Sequence, residues 1–288
     1  MKAEEQFVHS SGGLLLGVMG DPIAHSKSPQ MHGAALQALG ITGAYVPLHI
    51  APERLGDAIS AIRTLGFRGV NVTIPHKVAV MEFLDQLDES AASIGAVNTI
   101  VNDGGRLTGY NTDGIGYVRS LKAEAAPELQ DTRILVLGAG GAARGIIHSL
   151  LKERPAELIV ANRTPDKAVQ LAEEWSELGP IRGIGLEEAP SFIEGIDLII
   201  NTTSIGMHPK VDGTPFSADL LAPGMVVSDL IYNPLETRLL REARERGCTA
   251  HGGLGMFVYQ GAYALEYWTG RPAPVDAMRQ AMLECMGS

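Results

Sequence analysis

Ile134-Leu135-Val136-Leu137-Gly138-Ala139-Gly140-Gly141-Ala142-Ala143-Arg144-Gly145 is the stretch on which the fold turns. Apolar residues of strand type run into Gly-x-Gly-Gly-x-Ala, and helical spacing follows through Leu151. In that setting Gly138 permits the tight turn, Gly140 lets backbone approach a pyrophosphate, and the small Ala143 lets helix and strand pack closely. The helix N-terminus adds N–H groups and the positive end of a dipole. With Ala139, Gly141 and Ala142 completing the loop, the segment reads as a dinucleotide cradle rather than a tight turn without a ligand.

The next strand, Leu158 to Ala161, ends in Asn162-Arg163-Thr164, with Lys167 one turn later and no acid before Asp166. An acid at this place would bind a ribose 2′-hydroxyl; two cations and a hydroxyl suit a 2′-phosphate instead. The expected cofactor is therefore NADP. A solvated loop would account for Lys167 and poorly for Arg163.

Outward from this loop the pattern alternates. Strands are expected at Arg133–Leu137, Glu157–Ala161, Leu198–Asn201 and Val226–Asp229, with a helix at Asp166–Glu177. A first series precedes it, with strands at Leu14–Met19, Gly43–His49, Gly69–Ile74 and Thr99–Asn102. Its helices are expected at Pro29–Leu39, Ala51–Leu65 and Pro75–Leu87. Alternation implies parallel sheets and right-handed crossovers. The fold class is α/β in two domains with a cleft between them. Residues 1–112 plus 254–288 form an α/β substrate domain, with 1–12 a loose leader, and 113–253 form a Rossmann-type doubly wound NADP-binding domain. The helical segments 254–270 and 275–285 are expected to return to the first half, and hinges are expected near Asp113 and Gly252-Gly253.

Composition agrees. The 288 residues are 45% hydrophobic and 19% charged, as in a packed globular chain. A net charge of −10 argues against a broad nucleic-acid or anionic-membrane surface. Two cysteines, Cys248 and Cys285, form no framework and match no CxxC spacing, which fits a reducing compartment; a cytoplasmic enzyme is expected. No apolar run approaches the length of a membrane span. The histidines show no paired metal-ligand spacing, so no metal is expected, and Ser204 has no G-x-S-x-G setting.

In Asn71-Val72-Thr73-Ile74-Pro75-His76-Lys77 the pattern places Lys77 in the first turn of a helix, where the dipole would lower an ammonium pKa and suit proton donation. A lysine bent into solvent is the equal alternative. Asp113 precedes an amphipathic stretch from Ile115 to Ala125, so it is either an N-cap or a partner for Lys77. Ser28 before Pro29 reads as an N-cap, whereas Ser26 lies outside the helix; together their hydroxyls suit a small carboxylate. Gln260 shares a helical stripe with Met256, Tyr263 and Tyr267, which places an amide in a largely apolar face.

These residues resemble the shikimate dehydrogenase family across almost the whole chain after the leader. The resemblance runs through GDPIAHSKSP at 20–29, NVTIPHK at 71–77, GAVNT at 95–99, GYNTDGIG at 109–116, GAGGAARG at 138–145, NRTPDKA at 162–168, NTTSIGM at 201–207 and GGLGMFVYQG at 252–261. It implies that Lys77 and Asp113 form the catalytic pair, and that Ser26, Ser28, Thr73, Asn98, Asp113 and Gln260 hold a hydroxy acid, with Tyr232 near its carboxylate. Asn162, Arg163, Thr164 and Lys167 would take the 2′-phosphate, with Thr203, Ser204, Met207 and Gly253 along the cofactor. The implied activity is NADPH-dependent reduction of 3-dehydroshikimate to shikimate in aromatic amino-acid biosynthesis, by a possible homodimer. A quinate/shikimate dehydrogenase is the enzymatic alternative and a non-catalytic NADP-binding regulator the other.

Overall fold

The computed structural model describes residues 13–126 and 128–287, so the expected leader lies outside the described residues. The chain divides into two compact units, residues 1–112 with 260–288 and residues 113–259. The second crossing lies inside the helix Leu254–Thr269, between Tyr259 and Gln260. Among the described residues no helix is long and apolar enough to cross a membrane.

The first unit carries β1 (Leu14–Gly20), α1 (Ser28–Ala38), β2 (Gly43–His49), α2 (Leu55–Thr64), β3 (Gly69–Val72), β4 (Gln86–Leu87), α3 (Glu89–Ile94), β5 (Thr99–Asp103) and β6 (Arg106–Tyr110). Its sheet has the order β2-β1-β3-β5-β6-β4. The expectation of a parallel sheet holds for β2-β1-β3, whereas β5 runs antiparallel to both β3 and β6. For the β5–β6 pair the cause is local: Gly104 and Gly105, both at positive φ, close a hairpin. Met19, Val70, Val72 and Ile100 from the sheet and Leu55, Ile59 and Ile62 from α2 share one core.

The expected helix at Pro75–Leu87 does not form. Residues 74–78 make turns, a 3₁₀ segment follows at Ala79–Phe83, and β4 ends the stretch. Apolar residues there fall at helical spacing, but Val78 is 64% exposed and serves no core stripe.

The second unit carries α4 (Asp113–Glu124), β7 (Arg133–Leu137), α5 (Gly141–Lys152), β8 (Glu157–Asn162), α6 (Pro165–Glu174), β9 (Ile181–Gly185), β10 (Leu198–Asn201), β11 (Val226–Asp229), α7 (Arg238–Glu245) and β12 (Thr249–His251). The sheet is parallel throughout, in the order β12-β11-β10-β7-β8-β9. Ile134, Val136, Leu158 and Val160 face a core completed by α4 and α5, while Leu135, Leu137, Ile159 and Ala161 face another completed by α7. Strands buried on both faces with helices on each side are the doubly wound arrangement. Gly114 is required here: a Cβ on it would lie 2.0 Å from the Gly145 carbonyl oxygen, so α4 and α5 touch through backbone.

α8 (Leu254–Thr269) leads to α9 (Val275–Met286). Within the first unit α9 packs on α1, and Trp268 donates its indole N–H to the Ile100 carbonyl at 2.9 Å.

Candidate functional site

The second unit presents a phosphate cradle. Gly138, at φ +109, donates its N–H to the Ala161 carbonyl at 2.8 Å, and Thr202 caps the Leu137 carbonyl through both its N–H and its hydroxyl. This pins the loop between β8 and β10. Gly140 is the N-cap of α5 and brings no side-chain acceptor to the helix N-terminus. Gly140, Gly141 and Ala142 are exposed, and no heavy atom lies within 4 Å of a Cβ built on either glycine. Unfilled space before uncapped N–H groups fits a pyrophosphate, and Ala143 behind it is fully buried.

Arg163 and Thr164 continue from β8, and Lys167 sits in the first turn of α6. Asn162 Nδ2 donates to the Thr164 carbonyl at 2.9 Å, which shapes this turn. Arg163 and Lys167 are exposed, and among the described residues neither side chain makes an ion pair or hydrogen bond, whereas Arg133, Arg144 and Arg238 are all paired with glutamates. Two uncommitted cations at the ribose end of the cradle fit the phosphate that distinguishes NADP.

The loop after β10 is held by a network that sequence reading missed. Asn201 Oδ1 receives the Thr203 N–H at 3.0 Å and hydroxyl at 2.7 Å, while Asn201 Nδ2 donates to Asp229 Oδ1 at 3.0 Å. Asp229 also accepts from Ile231 N–H and the Thr237 hydroxyl. Burial pushes this carboxyl up, and those three donors oppose the shift. Both anchors end neighbouring parallel strands, which was the available signal. They present Ser204 and Met207, the latter 45% exposed, on the surface. Gly253 has a packing reason of its own, since a Cβ there would lie 2.0 Å from the Leu230 carbonyl oxygen. Tyr232 packs against Phe257 with centroids 4.9 Å apart and planes tilted by 37°, and burial raises its phenol pKa.

In the first unit, Ser28 is the first residue of α1 and Lys27 its N-cap, with no side-chain capping bond. The Ser26 hydroxyl accepts the Ser28 N–H at 3.3 Å, so Ser28 is not the expected N-cap but the first helical residue. Thr73 follows β3 and accepts the His76 N–H on its carbonyl at 2.9 Å. Lys77 lies in the turn after it, half-buried, with its carbonyl receiving the Val97 N–H at 2.8 Å. No helix starts here, so the dipole argument for Lys77 lapses; strand-end geometry places it instead. Asn98 is buried and bonded to Thr112, the residue before Asp113. Asp113 is the first residue of α4, in the second unit. Gln260 is half-buried, as are Met256 and Tyr263, whereas the buried side chains of α8 are Val258, Ala262, Ala264, Leu265 and Trp268. The stripe expected to be an apolar core face is thus the accessible face.

Comparison with known proteins follows the same division. Residues 18–100 match the shikimate dehydrogenase substrate binding domain, 120–209 the shikimate / quinate 5-dehydrogenase domain and 253–283 the shikimate 5'-dehydrogenase C-terminal domain. The chain is 51% identical over 270 residues to a shikimate dehydrogenase (NADP(+)) of Geobacillus kaustophilus, covering 94% of this chain and 98% of that one. A shikimate dehydrogenase solved in complex with NADP+ matches with TM-score 0.89 and 42% identity, over 95% of this chain and 96% of the other. The Listeria monocytogenes shikimate 5-dehydrogenase, solved with shikimate and NAD, matches with TM-score 0.90 and 36% identity over 95% and 97%.

Proposed function

The chain belongs to the shikimate dehydrogenase family, and from that premise we infer that it catalyses the reversible NADP-dependent reduction of 3-dehydroshikimate to shikimate. The observation that carries this reading is 51% identity to an NADP(+)-dependent shikimate dehydrogenase along 94% of the chain.

When bound, NADPH supplies the hydride. The protein's part is to hold two ligands and manage one charge. Gly138 to Ala142 take the pyrophosphate on backbone N–H groups, and Asn162, Arg163, Thr164 and Lys167 take the 2′-phosphate. Thr203, Ser204, Met207 and Gly253 line the rest of the cofactor. Ser26 and Ser28 donate to the substrate carboxylate, with Tyr232 nearby, and Thr73, Asn98 and Gln260 orient the ring hydroxyls. As negative charge grows on the substrate's C3 oxygen, the Lys77 ammonium stabilises and protonates it, while Asp113 orients both groups. We place the enzyme in the cytoplasm, with residues 1–112 and 254–288 serving the hydroxy acid, 113–253 serving NADP, and a homodimer as the assembly.

The assay is oxidation of shikimate in the presence of NADP+, followed by NADPH absorbance and identification of 3-dehydroshikimate. Binding of NADP+ without turnover would leave the regulator reading standing instead.

A further inference from the structure

One buried amide, Asn98, joins the start of β5 to the peptide that carries Asp113. Asn98 Oδ1 receives the Thr112 N–H at 2.8 Å and the Thr99 hydroxyl at 3.0 Å, and Asn98 Nδ2 donates to Thr112 Oγ1 at 3.0 Å. A backbone N–H can only donate, so the 2.8 Å contact fixes which end of the amide is oxygen. The chain extends behind it with the same sense: Asn71 Nδ2 donates to Thr99 Oγ1 at 3.0 Å and to the Asn98 carbonyl at 3.1 Å, and Asn71 Oδ1 accepts the Tyr45 phenol at 2.7 Å. Asn71, Asn98, Thr99 and Thr112 are all buried, so each misdirected hydrogen would leave a polar group without solvent to repair it.

We propose that Thr112, with Thr99 behind it, is a positioning residue: its hydroxyl, 3.2 Å from Asn98 Oδ1 and 3.0 Å from Asn98 Nδ2, fixes the plane of the amide so that the second amino hydrogen is aimed at a substrate hydroxyl oxygen, and its N–H anchors the peptide bonded to Asp113. The inference rests on the reading of Asn98 as a substrate residue. Without that hydroxyl the amide keeps its oxygen on the Thr112 N–H but is free to turn out of plane, and binding then requires reorganisation.

Two substitutions separate hydroxyl from shape. Thr112→Val keeps the volume and removes the hydroxyl, whereas Thr112→Ser keeps the hydroxyl and removes a methyl. The expected result is a loss of about tenfold in kcat/KM for shikimate in Thr112→Val, most of it restored in Thr112→Ser, with KM for NADP within about twofold in both. A packing role predicts the reverse order and would overturn the proposal. Asn98→Ala separates this failure from that of the underlying reading. If Asn98→Ala impairs shikimate turnover while Thr112→Val matches wild type, the clamp is wrong and the substrate role stands; if Asn98→Ala changes nothing, both fall. In the Asn98→Ala background Thr112→Val should cost less than about twofold more. If Thr112→Val fails to fold, Thr99→Val against Thr99→Ser reads the same amide oxygen from its other donor, with the same order expected and the reverse order excluding the clamp.

Discussion

In the unit formed by residues 113–259 the proposed cofactor ligands come mainly in short runs at the ends of β7, β8 and β10, whereas in the unit formed by 1–112 and 260–288 the proposed substrate ligands arrive singly. The latter come from the loop before α1, the end of β3, the turn after it, the start of β5 and α8. The contrast follows from the ligands. A pyrophosphate is met by consecutive backbone N–H groups, which demand glycines in one stretch. A ring with a carboxylate and several hydroxyls needs side-chain donors converging from many directions, and those are distributed along the chain.

The comparison breaks if the two units do not carry separable tasks. The largest expected effect is at Lys77. Lys77→Ala should lower kcat by about 10³-fold while the dissociation constant for NADP stays near wild type, because proton transfer and charge stabilisation are lost but the cradle is untouched. Fluorescence titration with NADPH beside steady-state kinetics makes the check, and a normal kcat would remove Lys77 from the chemistry. Next is Arg163→Ala, for which NADP binding should weaken by about 10- to 100-fold and NAD binding hardly at all, since charge-assisted bonds to one phosphate are removed. Equal losses with both cofactors would break the assignment.

A smaller effect sharpens the contrast. Gly140 has an extended backbone, φ −90 and ψ −173, and open space where a Cβ would go, so Gly140→Ala should leave the unfolding midpoint almost unchanged. Its NADP affinity should nevertheless fall about tenfold, because the methyl competes with phosphate for that space. Calorimetry and cofactor titration on the same sample test both halves of the statement.

The last concerns the first unit's core. His32 is fully buried, stacks on Tyr45 with centroids 4.3 Å apart, and among the described residues neither ring nitrogen has a hydrogen-bond partner. Burial pushes its pKa down to about 3. The unfolded chain therefore binds the extra proton first, and stability falls as pH drops below the ordinary histidine range toward that value. Linkage puts the loss at about 2 kcal/mol between pH 7 and pH 5. His32→Phe should flatten that slope in urea titrations at the two pH values; an unchanged slope would mean that other groups set it.

Legibility in the sequence followed the same contrast. The glycine turn, the ends of β7, β8, β10 and β11, and Arg163 in place of an acid were readable because each depends on neighbours in the chain. Periodicity alone places Lys77 in a helix, since apolar residues at helical spacing do not reveal that Val78 faces outward. The expected N-cap Ser28 lies one residue inside the helix, because capping depends on backbone geometry more than on residue type. The Asn98–Thr112 clamp and the Asn201–Asp229 anchor were invisible for a simpler reason: their partners lie 14 and 28 residues apart.

The central claim is that one unit reads the hydroxy acid and the other reads the cofactor phosphate. It is tested most directly by kcat/KM for shikimate and quinate, each with NADP and with NAD. Shikimate with NADP should exceed both shikimate with NAD and quinate with NADP by about tenfold or more. Equal values with the two nicotinamide cofactors, or a preference for quinate, would contradict it.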